Sequence, residues 1–78
     1  MKVRIIDIKS GLKEYNEVSL IRLKSPQVNL LIMEDHLPVI GSITGSVEIL
    51  DGDNEIMLNN VDGYYMHKKN IFELIIKD

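Results

Sequence analysis

The chain has 78 residues, a net charge of −3 and no cysteine, which bounds it to one domain and excludes a disulfide framework or a thiolate metal site. With acid in surplus and aromatics at only 5%, neither a nucleic-acid backbone nor a base-stacking platform fits as partner. No apolar stretch approaches the ~20 residues of a membrane helix, and Arg4 and Asp7 sit where a signal peptide would be apolar.

Taken in chain order, apolar residues recur at a period near two. Val3, Ile5 and Ile8 begin one strand. Ser10 to Val18 is the only stretch with a helical reading, and Gly11 and Asn16 weaken it. Val18, Leu20 and Leu23 mark a second strand with a slip in the middle. Pro26 and Pro38 belong at edges, bulges or loops, because proline gives a ladder no donor. Gly41 and Gly45, around Ser42-Ile43-Thr44, suggest a bulged corner where the chain crosses between sheets.

Val47 and Ile49, then Ile56 and Leu58, flank Asp51-Gly52-Asp53-Asn54, whose residues tolerate positive φ; this is the clearest hairpin in the chain. Asp62-Gly63 and Lys68-Lys69-Asn70 read as further turns, the latter leading into a final alternating strand, Ile71 to Ile76. Isoleucine, valine, threonine, tyrosine and phenylalanine dominate between the turns. The expected fold is all-β, an antiparallel β-sandwich of about ten short strands in two sheets.

Each chemical motif has a plainer structural reading. His36, Ser42 and Asp35 could be proposed as a triad, but neighbours on a strand point to opposite faces, so Asp35 is badly placed to orient His36. No nucleophile elbow accompanies them. The carboxylates of residues 51–55 alternate as in a calcium loop, yet Ile56-Met57-Leu58 stand where further ligands are required, and a polar hairpin accounts for them. His36 and His67 lie about 30 residues apart in sequence, a spacing that by itself names no metal. Met33, Met57 and Met66 are expected to fill gaps in the core. Of Tyr64 and Tyr65 one ring should point in and the other out. Val28, Leu37 and Tyr65 are candidates for exposed apolar contact residues.

The order of these features resembles the N-terminal domain of the ε subunit of rotary ATP synthases, called δ in mitochondria. An alternating strand opens the chain and leads to Tyr15 and Glu17-Val18. The run from Ser25 to Ile43 is similar to the family's glycine-rich stretch leading into Pro-Gly-His-Ala-Pro, with His36 and Pro38 in matching places. Gly45-Ser46-Val47-Glu48-Ile49 matches a Gly-x-Val-x-Ile strand, and Gly63, Tyr64 and Asn70 match the family's last turns. Glu34-Asp35 replaces Pro-Gly, Leu37 replaces alanine, and Asp62 replaces the first glycine of a pair.

The resemblance spans essentially the whole chain and implies a non-catalytic central-stalk subunit that couples ion-driven rotation to ATP synthesis. It implies binding to the γ subunit, and through γ to the catalytic head, and to the loops of the membrane c-ring. Ser25, Pro26, Gln27, Val28 and Asn29 would face the ring, and Met33, His36 and Ser42 would face γ. The place implied is peripheral, on the cytoplasmic side of a bacterial inner membrane, with no cofactor, metal or nucleic acid. The family's C-terminal helical module has no counterpart in residues 1–78. A second reading keeps the fold and assigns a free-standing protein-binding adaptor. A third would use His36, His67 and nearby carboxylates for metal or catalysis.

Overall fold

The computed structural model describes residues 1–77. They form seven strands, with no helix among the described residues: β1 (Lys2–Asp7), β2 (Gly11–Tyr15), β3 (Val18–Lys24), β4 (Asn29–Met33), β5 (Val39–Asp51), β6 (Asn54–Lys68) and β7 (Ile71–Ile76). The expected all-β class is observed. The strands make one mixed sheet of seven, in the order β2-β1-β7-β6-β5-β3-β4, rather than about ten strands in two sheets.

Two causes account for the difference. β5 and β6 are 13 and 15 residues long, and they run unbroken through positions that read as turns. Asp62-Gly63 lies inside β6, where Gly63 pairs with Ile43 of β5 and Ile76 of β7. A β-carbon at Gly63 would collide with the carbonyl of Ile75, so this glycine serves close packing against β7. The second cause is that β1 pairs with β7 in parallel, Lys2 opposite Ile71 through Asp7 opposite Ile76. Alternation alone does not report strand direction.

The sheet does not stay open. β1 and β3 are four strand steps apart in the ladder, about 19 Å if it were flat. Yet the Met1 ammonium donates to the Val18 carbonyl at 2.8 Å, and the Val18 N–H donates back to Met1 at 3.1 Å. The ladder must therefore curl until its two flanks meet. A bulge supplies the bend: Gly45 pairs with Val61 and Val47 with Leu58, leaving Ser46 opposite Asn59 and Asn60. Asn60 has a φ of 56°, a left-handed conformation that asparagine tolerates. The expected bulge at Gly45 is thus present, and the backbone of Lys24 crowds this glycine. Gly41 instead sits in regular ladder beneath the ring of Tyr65.

Two turns follow the expected chemistry. Asp51 pairs with Asn54 across Gly52-Asp53, with Gly52 at φ 61°, the sign pattern of a II′ hairpin. Lys69 and Asn70, both at positive φ, join β6 to β7, as a I′ turn requires.

Alternate residues of every strand but the edge strand β2 enter one core. Val3 and Ile5 of β1, Ile21 and Leu23 of β3, and Phe72 and Leu74 of β7 are all buried in it. Fully burying such side chains stabilises by about 1.5–3 kcal/mol each. Tyr65 stacks on Phe72 at 6.2 Å inside the core, while Tyr64 points outward. The one-in, one-out expectation holds, and the placing of Tyr65 among exposed contact residues is corrected. The methionine expectation is also corrected: Met33, Met57 and Met66 are exposed, because each falls on the outward phase of its strand.

Candidate protein-binding face

On the outer surface of five strands, register lines up one row. Ser42 pairs with Tyr64, Tyr64 with Ile75, Ile75 with Ile6, and Ile6 with Leu12. Paired residues share a face, so these side chains stand side by side across β5, β6, β7, β1 and β2. Over four strand steps the row is about 19 Å long. Tyr64 is 52% exposed and Ile75 48%. Ile40 and Met66, paired in the next row, widen the apolar part at the β5–β6 end. There the surface dips into a depression of about 490 Å³ lined by Ile40, Ser42, Tyr64, Met66, Glu73 and Ile75.

Charges border the row on both sides. Glu73, Arg4 and Glu14 continue the Ile40–Met66 row, with Arg4 3.9 Å from Glu73 and 3.8 Å from Glu14. Lys2 adds a 3.1 Å contact to Glu14. On the other side Lys77 lies 3.7 Å from Asp62, with its ammonium 5.0 Å from the centre of the Tyr64 ring. Such pairs contribute little stability at the surface, but they frame the apolar strip with fixed charge. An apolar core with a charged rim is the arrangement of a protein-binding surface.

The residues expected to face γ fall in two places. Ser42 lies in the depression. Met33 ends β4, and its carbonyl accepts the His36 N–H at 3.1 Å, so these two sit together elsewhere. The expected ring-facing loop is a tight hairpin. Ser25 and Val28 bond each other's backbones, and the Ser25 hydroxyl accepts the N–H groups of Gln27 and Val28 at 3.3 and 3.0 Å. Val28 is half-buried, which leaves Pro26, Gln27 and Asn29 exposed.

Sequence reasoning missed Ile6, Leu12 and Ile75. The usable signal was apolar doublets: in Ile5-Ile6, Tyr64-Tyr65 and Ile75-Ile76, one partner fills the core and the other must face out.

At one end of the molecule two histidines meet. The rings of His36 and His67 are edge to face, with centroids 5.9 Å apart. His36 Nδ1 lies 2.6 Å from the Leu37 carbonyl, which can only accept, so Nδ1 is the donor. His67 is fully buried beside Phe72, and neither ring nitrogen has a hydrogen-bond partner. Burial first, then the charge on His36 and the Met1 ammonium, hold its pKa below the ordinary value. Asp35 does not orient His36; its carboxylate accepts from Asn70. No cluster of three or more potential metal ligands occurs among the described residues.

No protein-family profile matches this chain, and its sequence has no significant match among curated proteins.

Proposed function

We propose that this domain is a non-catalytic, protein-binding part of the central stalk of a rotary ATP synthase, equivalent to the N-terminal domain of the ε subunit. The observation that carries the reading is the apolar row from Ser42 to Leu12, framed by charge on both sides. Exposed apolar strips of this kind mark interaction surfaces. The order of sequence features along the chain, from the opening strand through His36 and Pro38 to Asn70, supplies the family.

In this reading the row takes the γ subunit, with Ser42 at its edge and Met33 and His36 forming a second contact. The Ser25–Asn29 hairpin faces the c-ring and offers Gln27 and Asn29 as uncharged hydrogen-bonding groups. Its internal bonds to the Ser25 hydroxyl keep it stiff, which suits a part that carries torque. The fold is read more finely as a two-layer sandwich. Each long strand bends at the bulge and serves both layers, and counting the halves of β5 and β6 separately brings the strand number close to the family's. The domain then sits peripherally on the cytoplasmic side of a bacterial membrane.

The test is capture of partners by the tagged chain from detergent-solubilised membranes of its source, read by mass spectrometry. Recovery of γ with catalytic and ring subunits supports the reading. Enrichment of an unrelated protein without γ overturns it in favour of a free-standing adaptor.

A further inference from the structure

The end of the molecule that holds the two histidines is closed by a short list of contacts. Loop 34–38 joins β4 to β5 and carries His36 against buried His67. The loop is tied to the β6–β7 turn by two bonds, Asp35 N–H to Asn70 Oδ1 at 2.7 Å and Asn70 Nδ2 to Asp35 Oδ1 at 3.2 Å. These are the loop's bonds to that turn, and both are made by exposed or half-buried groups.

We propose that the His36–His67 contact is an acid-sensitive latch: proton uptake by His67 releases loop 34–38 from the β6–β7 turn and lets water reach His67. The physical ground is that His67 is buried and its ring nitrogens have no hydrogen-bond partner. A buried imidazole without an acceptor can be charged only at a large desolvation cost.

The surrounding charges do not offset this cost. From the chain start come the Met1 ammonium and Lys2, and from β6 and its turn come Lys68 and Lys69. β7 contributes Glu73, which lies on the opposite, outer face of the sheet. The paired stretch of β5, Val39 to Gly45, carries no charge. Loop 34–38 brings Glu34, Asp35 and His36 itself, and the Asp35 carboxylate is engaged by Asn70. No carboxylate forms an ion pair or hydrogen bond with His67 among the described residues. The neighbouring His36 ring, 5.9 Å away, therefore adds to the cost of charging His67 in the closed state, and opening the loop removes that conflict.

The direction follows from linkage. The open state takes up a proton near the ordinary imidazole value, about 6.5, and the closed state only at lower pH. Closure is thus complete above that value and weakens as pH falls through it. Because the contacts are within one chain, the latch can be tested on the domain without a partner.

The experiment is amide hydrogen exchange of Asp35 and His36 by NMR between pH 7.5 and 5.0, corrected for intrinsic rates, with the imidazole signals titrated in the same samples. The expected result is loss of at least tenfold protection at both amides between pH 7 and 5, while the Phe72 and Leu74 amides stay protected. His67 should titrate below the ordinary imidazole value. In His36→Gln, which keeps a neutral polar group at the loop, the loss should shrink and move to lower pH. In His67→Phe it should vanish. Protection that is flat with pH in the wild type, or a loss unchanged in His36→Gln, overturns the latch, even if His67→Phe fails to fold.

Discussion

Asp35 and Asn70 are 35 positions apart in the chain, both have left-handed backbones, with φ 65° and 60°, and each donates a hydrogen bond to the other. Asn70 also presents its carbonyl to the Lys2 N–H at 3.0 Å. One asparagine thereby fixes loop 34–38, the β6–β7 turn and the start of β1.

Replacing Asn70 should separate its two roles. Asn70→Ala loses the side-chain bonds and strains a left-handed backbone, and should lower unfolding free energy by about 1–2 kcal/mol. Asn70→Gly loses the same bonds but relaxes the backbone, and should cost measurably less. Urea denaturation of the three proteins decides this; equal losses would mean that conformation contributes nothing here.

Two glycines should respond to alanine for different reasons. At Gly63 the new methyl meets the Ile75 carbonyl, and overpacking of this kind costs typically about 1–3 kcal/mol. At Gly52 the methyl meets nothing, but φ is 61°, so the penalty is conformational and on the order of 1 kcal/mol. Thermal melts should rank Gly63→Ala as the less stable variant, and the opposite order would contradict the close approach of β7.

On the outer row, Ile75→Glu should change stability by no more than about 0.5 kcal/mol, since the side chain is half-exposed and lies outside the core. Under the proposed function it should abolish capture of γ. Retained capture at wild-type level would remove the row from the interface.

His67→Phe should raise stability at pH 7.5 by about 1 kcal/mol, because it removes two buried nitrogens that lack partners. The gain should grow as pH falls below about 6.5: the lowered pKa of His67 means that the unfolded chain takes up a proton there and the folded wild type does not. Guanidinium unfolding at pH 7.5 and 5.5 measures both parts. A variant less stable than wild type at both values would show that His67 has partners after all.

Strand phase was legible in the sequence wherever a hydrophobic residue alternated with a polar one. Val3 and Ile5, Ile21 and Leu23, and Phe72 and Leu74 all go inward as periodicity requires. Turns were legible where glycine or asparagine had to accept positive φ, as at Gly52 and Asn70. Asp62-Gly63 misled because glycine has two uses, bending a chain and letting another chain approach, and composition does not separate them. The methionines misled because alternation, not side-chain type, decides which face a residue takes. The candidate row was half legible: Ser42 is singled out in the sequence, but its apolar companions come largely from β1, β2 and β7, and only register brings them into line. The contact between His36 and His67 follows from the β5–β6 register, which pairs Val39 with His67 and sets the preceding loop beside it, and no local pattern encodes that register.

The parallel pairing of β1 with β7 has a kinetic side. β7 lies between β1 and β6, so the first strand cannot join the ladder until a segment some seventy positions away has been inserted beside it. The β5–β6–β7 meander can zip locally, but attaching β1 to it is a long-range contact whose loop-closure entropy must be met first. High contact order of this kind goes with folding in milliseconds to seconds. On the ribosome, the β1–β2 hairpin would wait with the other edge of β1 unpaired until β7 emerges. During that interval the apolar residues of β1 are exposed, and chaperones would have their best opportunity to engage the chain.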